Sequence, residues 1–525
     1  MSSRNGLIVI LLLCLTAIAC RKDNIEEAPE AFCRVSLLES SVSIPSGGSA
    51  RILFRASDVA LPMDVSLRLR DGSVPQSLRI TDVSREAGAD VYSAIISDNG
   101  NSPAYSYEVF LDISSGGMRY VTTDYICVNC GTAEFPMRLD TGLPVVYIDT
   151  DGARPVESKD IELAAVMKIQ GAGGYGSLQP ASCNVKGRGN INWNFDKKPL
   201  KVTFRDRVSL LGLPEGSTWV LLANFVDRTL MRNLVAMKVS SLTSLAWTPR
   251  CVPVELVLNG NHEGSFLLIE QVEVDENRVN VSQEDGFLLE VDFHYDNEVQ
   301  WLDPHGFGYM LAGTPFAVKY PSPGELDAAK ESYIKDYVSQ TADVLYSAGF
   351  ADPATGYGRW IDVDSFVDYW IVNELLGNPD LSTPGSIFFH KDGGGKLVAG
   401  PCWDFDWCLT DYGTTIQEWA GSLNENAFWY ARLFKDPEFK RRVGQRIAEL
   451  LPELQGVADY IDDCGRQLAA SAELNFALWN PAVDRWRNKG LLINGDEKLT
   501  FEQAVVRLRQ VYLRRLALME KYCKD

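Results

Sequence analysis

Asp380 stands in the turn-rich stretch Leu376-Gly377-Asn378-Pro379-Asp380, and Asp404 and Asp406 stand in Trp403-Asp404-Phe405-Asp406-Trp407. The chain between them has room for two short strands, Ile387-Phe388-Phe389-His390 and Lys396-Leu397-Val398-Ala399, joined across Gly393-Gly394-Gly395. Paired as a hairpin, they bring the loops at their open end, and with them the carboxylates, together. The chain has four histidines (His262, His294, His305, His390) and neither an HExxH nor a GxSxG signature. Oxygen-ligated Mg²⁺ or Mn²⁺ therefore suits it better than zinc. Acids that hold such an ion beside a phosphate are the parts of phosphoryl-transfer chemistry.

Cations to meet a phosphate lie upstream. In Val185-Lys186-Gly187-Arg188-Gly189-Asn190 basic side chains alternate with glycines, so the backbone can approach an anion while Arg188 reaches it. Asp196-Lys197-Lys198-Pro199-Leu200-Lys201 then leads into a strand whose apolar face, Val202 and Phe204, lies opposite Lys201, with Lys198 at the strand entrance. These lysines suit phosphate pairing; a solvated basic edge that blocks strand pairing is the plainer alternative. Glu270 and Glu290 are acids in apolar strands and call for partners, a lysine among them. Asp227, between a strand and a helix, is a natural N-cap, and Arg232 one turn on can pair with it or with the glycine-rich loop. Gly171-Ala172-Gly173-Gly174-Tyr175-Gly176 matches GxGxxG, but no helix follows to make it a dinucleotide site. A glycine-rich loop over phosphates and a plain hairpin both remain open for it.

The elements that position these residues change character near residue 135. Short alternating strands at 43–45, 50–56, 65–69, 91–96, 105–113 and 119–127, separated by Gly, Asp, Asn and Pro turns, predict an immunoglobulin-like β-sandwich over residues 32–134. Residues 135–525 begin strand-rich, at 144–148, 161–169, 184–186, 200–204, 219–223, 254–258, 265–271 and 286–291. Helical periodicity appears at 229–242 and then dominates, at 325–348, 364–376, 437–470 and 501–521. That order predicts an α+β domain with a cleft between lobes and a helical C-terminal part.

Arg4 precedes an apolar run, residues 7–19, too short to span a bilayer and ending in Ala17-Ile18-Ala19-Cys20. It reads as a bacterial lipoprotein signal: residues 1–19 removed, Cys20 lipidated, residues 20–31 a polar tether and the protein exported. An ordinary secretory signal is the alternative. With 50 basic against 70 acidic side chains, net charge −20, the chain would repel nucleic acid. Of 11 cysteines, Cys127 and Cys130 form a close pair without the further ligands zinc needs. A disulfide in the first domain, with Cys33 a candidate partner, or buried thiols are the remaining readings.

The stretches KGRGN, KKPLKVTF, LLANFVDRTLMRN, LVLNGNHEGSFLLIEQVEVDENRVNV, GFLLEVD, NPDL and GPCWDFDW, in that order, resemble the CotH kinase family. The resemblance implies an atypical protein-kinase-like two-lobed fold and ATP-dependent phosphorylation of protein Ser or Thr hydroxyls with Mg²⁺ or Mn²⁺. On it, Asp380 would orient the acceptor hydroxyl and accept its proton, Asp404 and, less directly, Asp406 would hold the metal, Arg188 with Lys198 or Lys201 would meet the phosphates, and Glu270 would position the lysine. Two departures stand out: Ile191-Asn192 replaces the Ser-Thr of many relatives, and Ser386 occupies the place of a metal-binding Asn. Expected partners are a protein acceptor and a membrane reached through the N-terminal lipid alone, at the outer membrane or cell surface. A catalytically silent surface lipoprotein that binds peptide or glycan in the same cleft is the alternative.

Overall fold

The computed structural model describes residues 35–523, apart from 131–138, 294–298, 307–312, 382–384, 411–426, 480–495 and shorter stretches concentrated in the first 130 residues. The expected signal, tether, Cys20 and Cys33, and the side chains of Cys127 and Cys130, fall outside the described residues. Among the described residues no helix is long and apolar enough to cross a membrane.

Nine strands build the first region: β1 (Val35–Leu37), β2 (Ser41–Ile44), β3 (Ser49–Ala56), β4 (Asp64–Arg68), β5 (Leu78–Arg85), β6 (Val91–Asp98), β7 (Tyr105–Ser115), β8 (Met118–Val121) and β9 (Ile126–Cys130). They form two sheets, β1-β3-β6-β5 and β2-β9-β7-β4, with β8 beside β7. Alternate residues point into one shared core, Ile52 and Phe54 from β3, Ala94 and Ile96 from β6, Leu111 and Ile113 from β7. β5 was not expected, because Leu78 is its one fully buried residue and the rest of LRITDVSR carries no apolar alternation.

The next seven strands close into a barrel: β10 (Val145–Thr150), β11 (Leu163–Gln170), β12 (Leu178–Gly187), β13 (Leu200–Val208), β14 (Gly216–Leu222), β15 (Cys251–Leu258) and β16 (Asn261–Glu270), in the order β10-β11-β12-β13-β14-β16-β15. A parallel pairing of β10 with β15, Val145 beside Glu255, shuts the ring. Period-two alternation sorts the faces: Trp219, Leu221, Phe266 and Leu268 fill the barrel, while Val220, Leu222, Leu267 and Ile269 face the helices. A second sheet, β17 (Phe287–Val291), β18 (Gln300–Asp303), β19 (Thr314–Tyr320), β20 (Ile387–Lys391) and β21 (Val398–Ala399), runs β18-β19-β17-β20-β21.

Among the described residues six α-helices follow: α1 (Arg232–Ser240), α2 (Ala328–Tyr346), α3 (Val363–Leu376), α4 (Tyr430–Leu433), α5 (Pro437–Leu478) and α6 (Phe501–Met519). Their ends are written in the sequence: Asp327 and Asp362 cap α2 and α3, and Thr500 with Gln503 forms a capping box on α6. Together with β17, β19 and β20 they bury the largest core, into which nearly every residue of α1 and α3 points. The mixed α+β expectation holds. A closed barrel, shut by the β10 to β15 pairing, is followed by a helix-covered five-stranded sheet.

Candidate active site

α3 ends at Gly377 in the left-handed region (φ 61°), a conformation glycine adopts without steric cost. The reversed chain enters the 3₁₀ turn Pro379–Leu381, where buried Asn378 donates its amide to Asn373 Oδ1 (3.1 Å) and accepts the Asp380 N–H (3.3 Å). The hairpin expected between Asp380 and Asp404 is present, with Phe389 opposite Ala399 and His390 opposite Val398.

Residues 403–409 are a loop beyond the hairpin and do not alternate as a strand would. Asp404 has φ 58°, which breaks the alternation, and it is partly buried whereas Asp406 is 6 % exposed. The loop's polar groups are satisfied by other segments. Asn233 Oδ1 accepts the Phe405 N–H (2.9 Å), and the Arg232 guanidinium donates to the carbonyls of Cys408 and Leu409. Asn192 Nδ2 donates to Asp406 Oδ2 (2.6 Å), and Asn233 Nδ2 donates to Asp406 Oδ1.

The acids interact. Burial, then the charges of Asp404, Asp406 and Asp292, push Asp380 well above the usual carboxylate range. Burial also raises Asp404, with Arg188 opposing it, and Asp406 is pushed up to about 7 by burial and then by Asp404, against its two amide donors. Arg188 is pulled down by burial and held up by Asp404, Asp406 and Glu290. Sequence reasoning missed Asp292, although its spacing from Glu290 puts both on one face of the chain leaving β17.

Arg188 is the one of the three expected cations tied directly to the acid loop, its guanidinium 5.6 Å from the Trp403 ring centre. Lys198 turns back into its own turn, donating to the Trp193 carbonyl (2.7 Å). Lys201 projects from β13 opposite Val202 and Phe204; burial and Lys186 depress its pKa, while Glu273 and Glu162 favour its charge. Glu270 corrects an expectation: it accepts the Arg250 backbone N–H (2.8 Å) and Nε (2.9 Å) instead of positioning a lysine. Glu290 does find a lysine, Lys319, at 3.1 Å. Ser386 enters β20 at φ 53°. Gly187 makes room not for an anion but for Trp193, whose ring would lie 2.1 Å from a Cβ there. The Gly171–Gly176 stretch is the β11–β12 turn, at the far end of β12 from Arg188, about 30 Å away for a strand of that length. The missed neighbour is Lys197, fully buried, donating to Ala223 O (2.9 Å), Ser265 O and Asn475 Oδ1 (2.7 Å) and so fastening this turn to α5.

Oxygen donors in a negatively charged, partly enclosed setting fit a hard divalent cation. Among the described residues no three His, Cys, Asp or Glu side chains already form a metal-holding group. Mg²⁺ does not require one, since it takes one or two carboxylates and completes its shell with phosphate oxygens and water. The raised pKa values set a pH dependence. A folded pKa raised from 3.8 to about 7, as for Asp406, contributes stability below the lower value that is lost as pH rises through the upper. Metal-free protein is thus expected to melt at lower temperature at pH 8 than at pH 5, and Mn²⁺ to restore more at pH 8. Melting curves with chelator and with Mn²⁺ read both; a flat chelator series would remove the clustered acids from the argument.

A family model described as CotH kinase protein matches residues 185–519, more than half of the 525-residue chain, a span that holds Arg188, Lys198, Lys201, Glu270, Asp380, Ser386, Asp404 and Asp406. The search of curated proteins returned no match. Among solved structures, the ICAM-5 D1-D4 ectodomain fragment aligns at 14 % identity over 36 % of this chain and 46 % of that one. Its TM-score of 0.13 carries no argument about fold or function.

Proposed function

The chain belongs to the CotH kinase protein family, and from that premise we propose that it transfers the ATP γ-phosphate to Ser or Thr hydroxyls of surface or secreted proteins. The observation that carries the reading is the electrostatic coupling of Asp380, Asp404 and Asp292 in one cluster with Arg188. Asp380, on a turn anchored by Asn378, orients the acceptor hydroxyl and takes its proton; the raised pKa makes it a more willing base than a solvated carboxylate. Arg188, stacked on Trp403 of the acid loop, neutralises phosphate charge. Asp404 heads the residues that would hold Mg²⁺ or Mn²⁺, with Asp292 beside it. A divalent ion held there would supply positive charge to offset the negative charge developing on the transferred phosphate. Lys201 is the lysine best placed to assist, since its charge is felt together with that of Arg188.

The remainder of the reading is an exported protein anchored through Cys20, with the two-sheet region as an immunoglobulin-like spacer. Protease treatment of intact cells tests the surface placement. A second reading, a silent surface lipoprotein that binds peptide or glycan in the same cleft, draws support from Ser386 in the place where the family resemblance expects a metal-binding Asn. Purified protein with labelled ATP, Mn²⁺ and a generic protein acceptor separates the two. Label incorporation by the wild type that is lost in Asp404→Ala supports the kinase. Failure of the wild type to bind nucleotide at millimolar metal supports the binder.

A further inference from the structure

We infer that Asp406 is the post of a hydrogen-bonded clamp rather than a metal ligand: Asn192 and Asn233 pin its carboxylate, docking the Arg188-bearing turn and α1 onto the acid loop. This deepens the kinase reading and rests on it only for the role left to Asp404. Three segments distant in sequence meet on this one side chain. Asn192, in the turn between β12 and β13, donates to Oδ2 at 2.6 Å across 214 residues. Asn233, at the second position of α1, donates to Oδ1 across 173 residues. Both N–H groups present their positive ends to the carboxylate, where an approaching cation would meet them.

The clamp has a fixed arm and a free one. Asn233 is 2 % exposed, and its own Oδ1 receives the Phe405 N–H, so its amide cannot turn over without losing that bond. Asn192 is partly buried and has no comparable lock. A second contact runs beside the first, Arg188 against Trp403, so the turn grips the loop at two points and Arg188 inherits its position from the docking. Asp406 acts through what it holds; it is a positioning residue, and its oxygens serve the loop's geometry as outer-shell partners serve a metal site.

A charge swap tests this. In Asp406→Asn the new side chain still accepts from Asn233, while its NH₂ faces Asn192, which can turn over and offer its oxygen. Asn192→Asp instead sets carboxylate against carboxylate. The double variant, Asn192→Asp with Asp406→Asn, restores a donor facing an acceptor with the charge moved to the other residue. The readouts are melting of the metal-free protein and calorimetric binding of Mn²⁺ with a non-hydrolysable ATP analogue. Asn192→Asp is expected to lower the melting temperature and to weaken Mn²⁺-nucleotide binding about 10–100-fold, the usual effect of losing an outer-shell partner. The double variant is expected to recover most of both losses, and Asp404→Ala to lose binding in every background. Should Asp406→Asn and the double variant both lose Mn²⁺ binding as fully as Asp404→Ala, Asp406 ligates the metal and the clamp is overturned. If the wild type binds no nucleotide, the kinase reading falls by itself, and the melting series decides the clamp: recovery in the double variant upholds it, further loss refutes it.

Discussion

Asp380→Asn is expected to slow phosphate transfer by about 10²–10⁴-fold, the usual range for loss of a positioned proton acceptor, and at the same time to stabilise the metal-free protein. The two effects share one cause. Asp380 is buried among like charges from Asp404, Asp406 and Asp292, so its ionised form is disfavoured and its neutral isostere is welcome. Asparagine keeps the size of the side chain and leaves untouched the backbone bond from residue 380 to Asn378 Oδ1. What disappears is the ability to take a proton from the acceptor hydroxyl. Single-turnover transfer of labelled phosphate and a denaturant titration above pH 7 measure the two arms. Transfer retained within about threefold would place the general base elsewhere, since the acceptor role is worth at least a hundredfold. A loss of stability would mean that the acids do not repel one another as the cluster requires.

How much of this site could be read from the chain depends on how local each interaction is. The hairpin of β20 and β21 was legible because two short apolar runs flank a glycine run, and those signals act within about ten residues. The turn that carries Asp380 was legible for the same reason, in the Gly377, Asn378 and Pro379 that stop α3. The partners of the acid loop were not legible, because Trp403-Asp404-Phe405-Asp406-Trp407 shows only the apolar-polar period of a strand. Its main-chain groups are instead taken by side chains of α1, at positions 232 and 233, about 170 residues away. No local pattern announces that. Glu270 is a subtler failure: the need for a partner was right, but the partner is Arg250, which sits across the β15–β16 pairing and offers both a backbone and a side-chain donor, and not Lys198 or Lys201. Lys197 was passed over because a lysine next to Lys198 reads as solvated; its acceptors come from β14, β16 and α5, which only barrel closure brings together.

The largest loss of stability is expected from Asp227→Ala, about 3–5 kcal/mol, the range for removing one member of a buried ion pair. Asp227 and Arg232 are both almost wholly buried, 3.2 Å apart, and the carboxylate also accepts the Thr229 N–H (2.9 Å), the Thr229 hydroxyl (2.6 Å) and the Arg232 N–H (2.9 Å). It thus tethers the first turn of α1, although the capping position itself belongs to Met231. Without it, Arg232 keeps its hold on the Cys408 and Leu409 carbonyls but faces Asp496 from 3.7 Å as its remaining acid, and Asp496 is already engaged by Arg507 at 2.7 Å. Adding Arg232→Met to Asp227→Ala removes the stranded charge, and buried pairs replaced by apolar side chains often regain stability. Recovery here is expected to be partial, because two loop carbonyls then lose their donor at about 1–3 kcal/mol each. Denaturant titration should therefore rank the double variant between Asp227→Ala and the wild type, while phosphate transfer falls further in the double variant than in Asp227→Ala, which keeps the guanidinium on the loop carbonyls. That divergence separates the two jobs of α1: the ion pair holds the helix in the core, and the guanidinium holds the acid loop beside it. If the double variant regained transfer along with stability, the loop's geometry would be independent of α1, and Arg232 would be a purely structural residue.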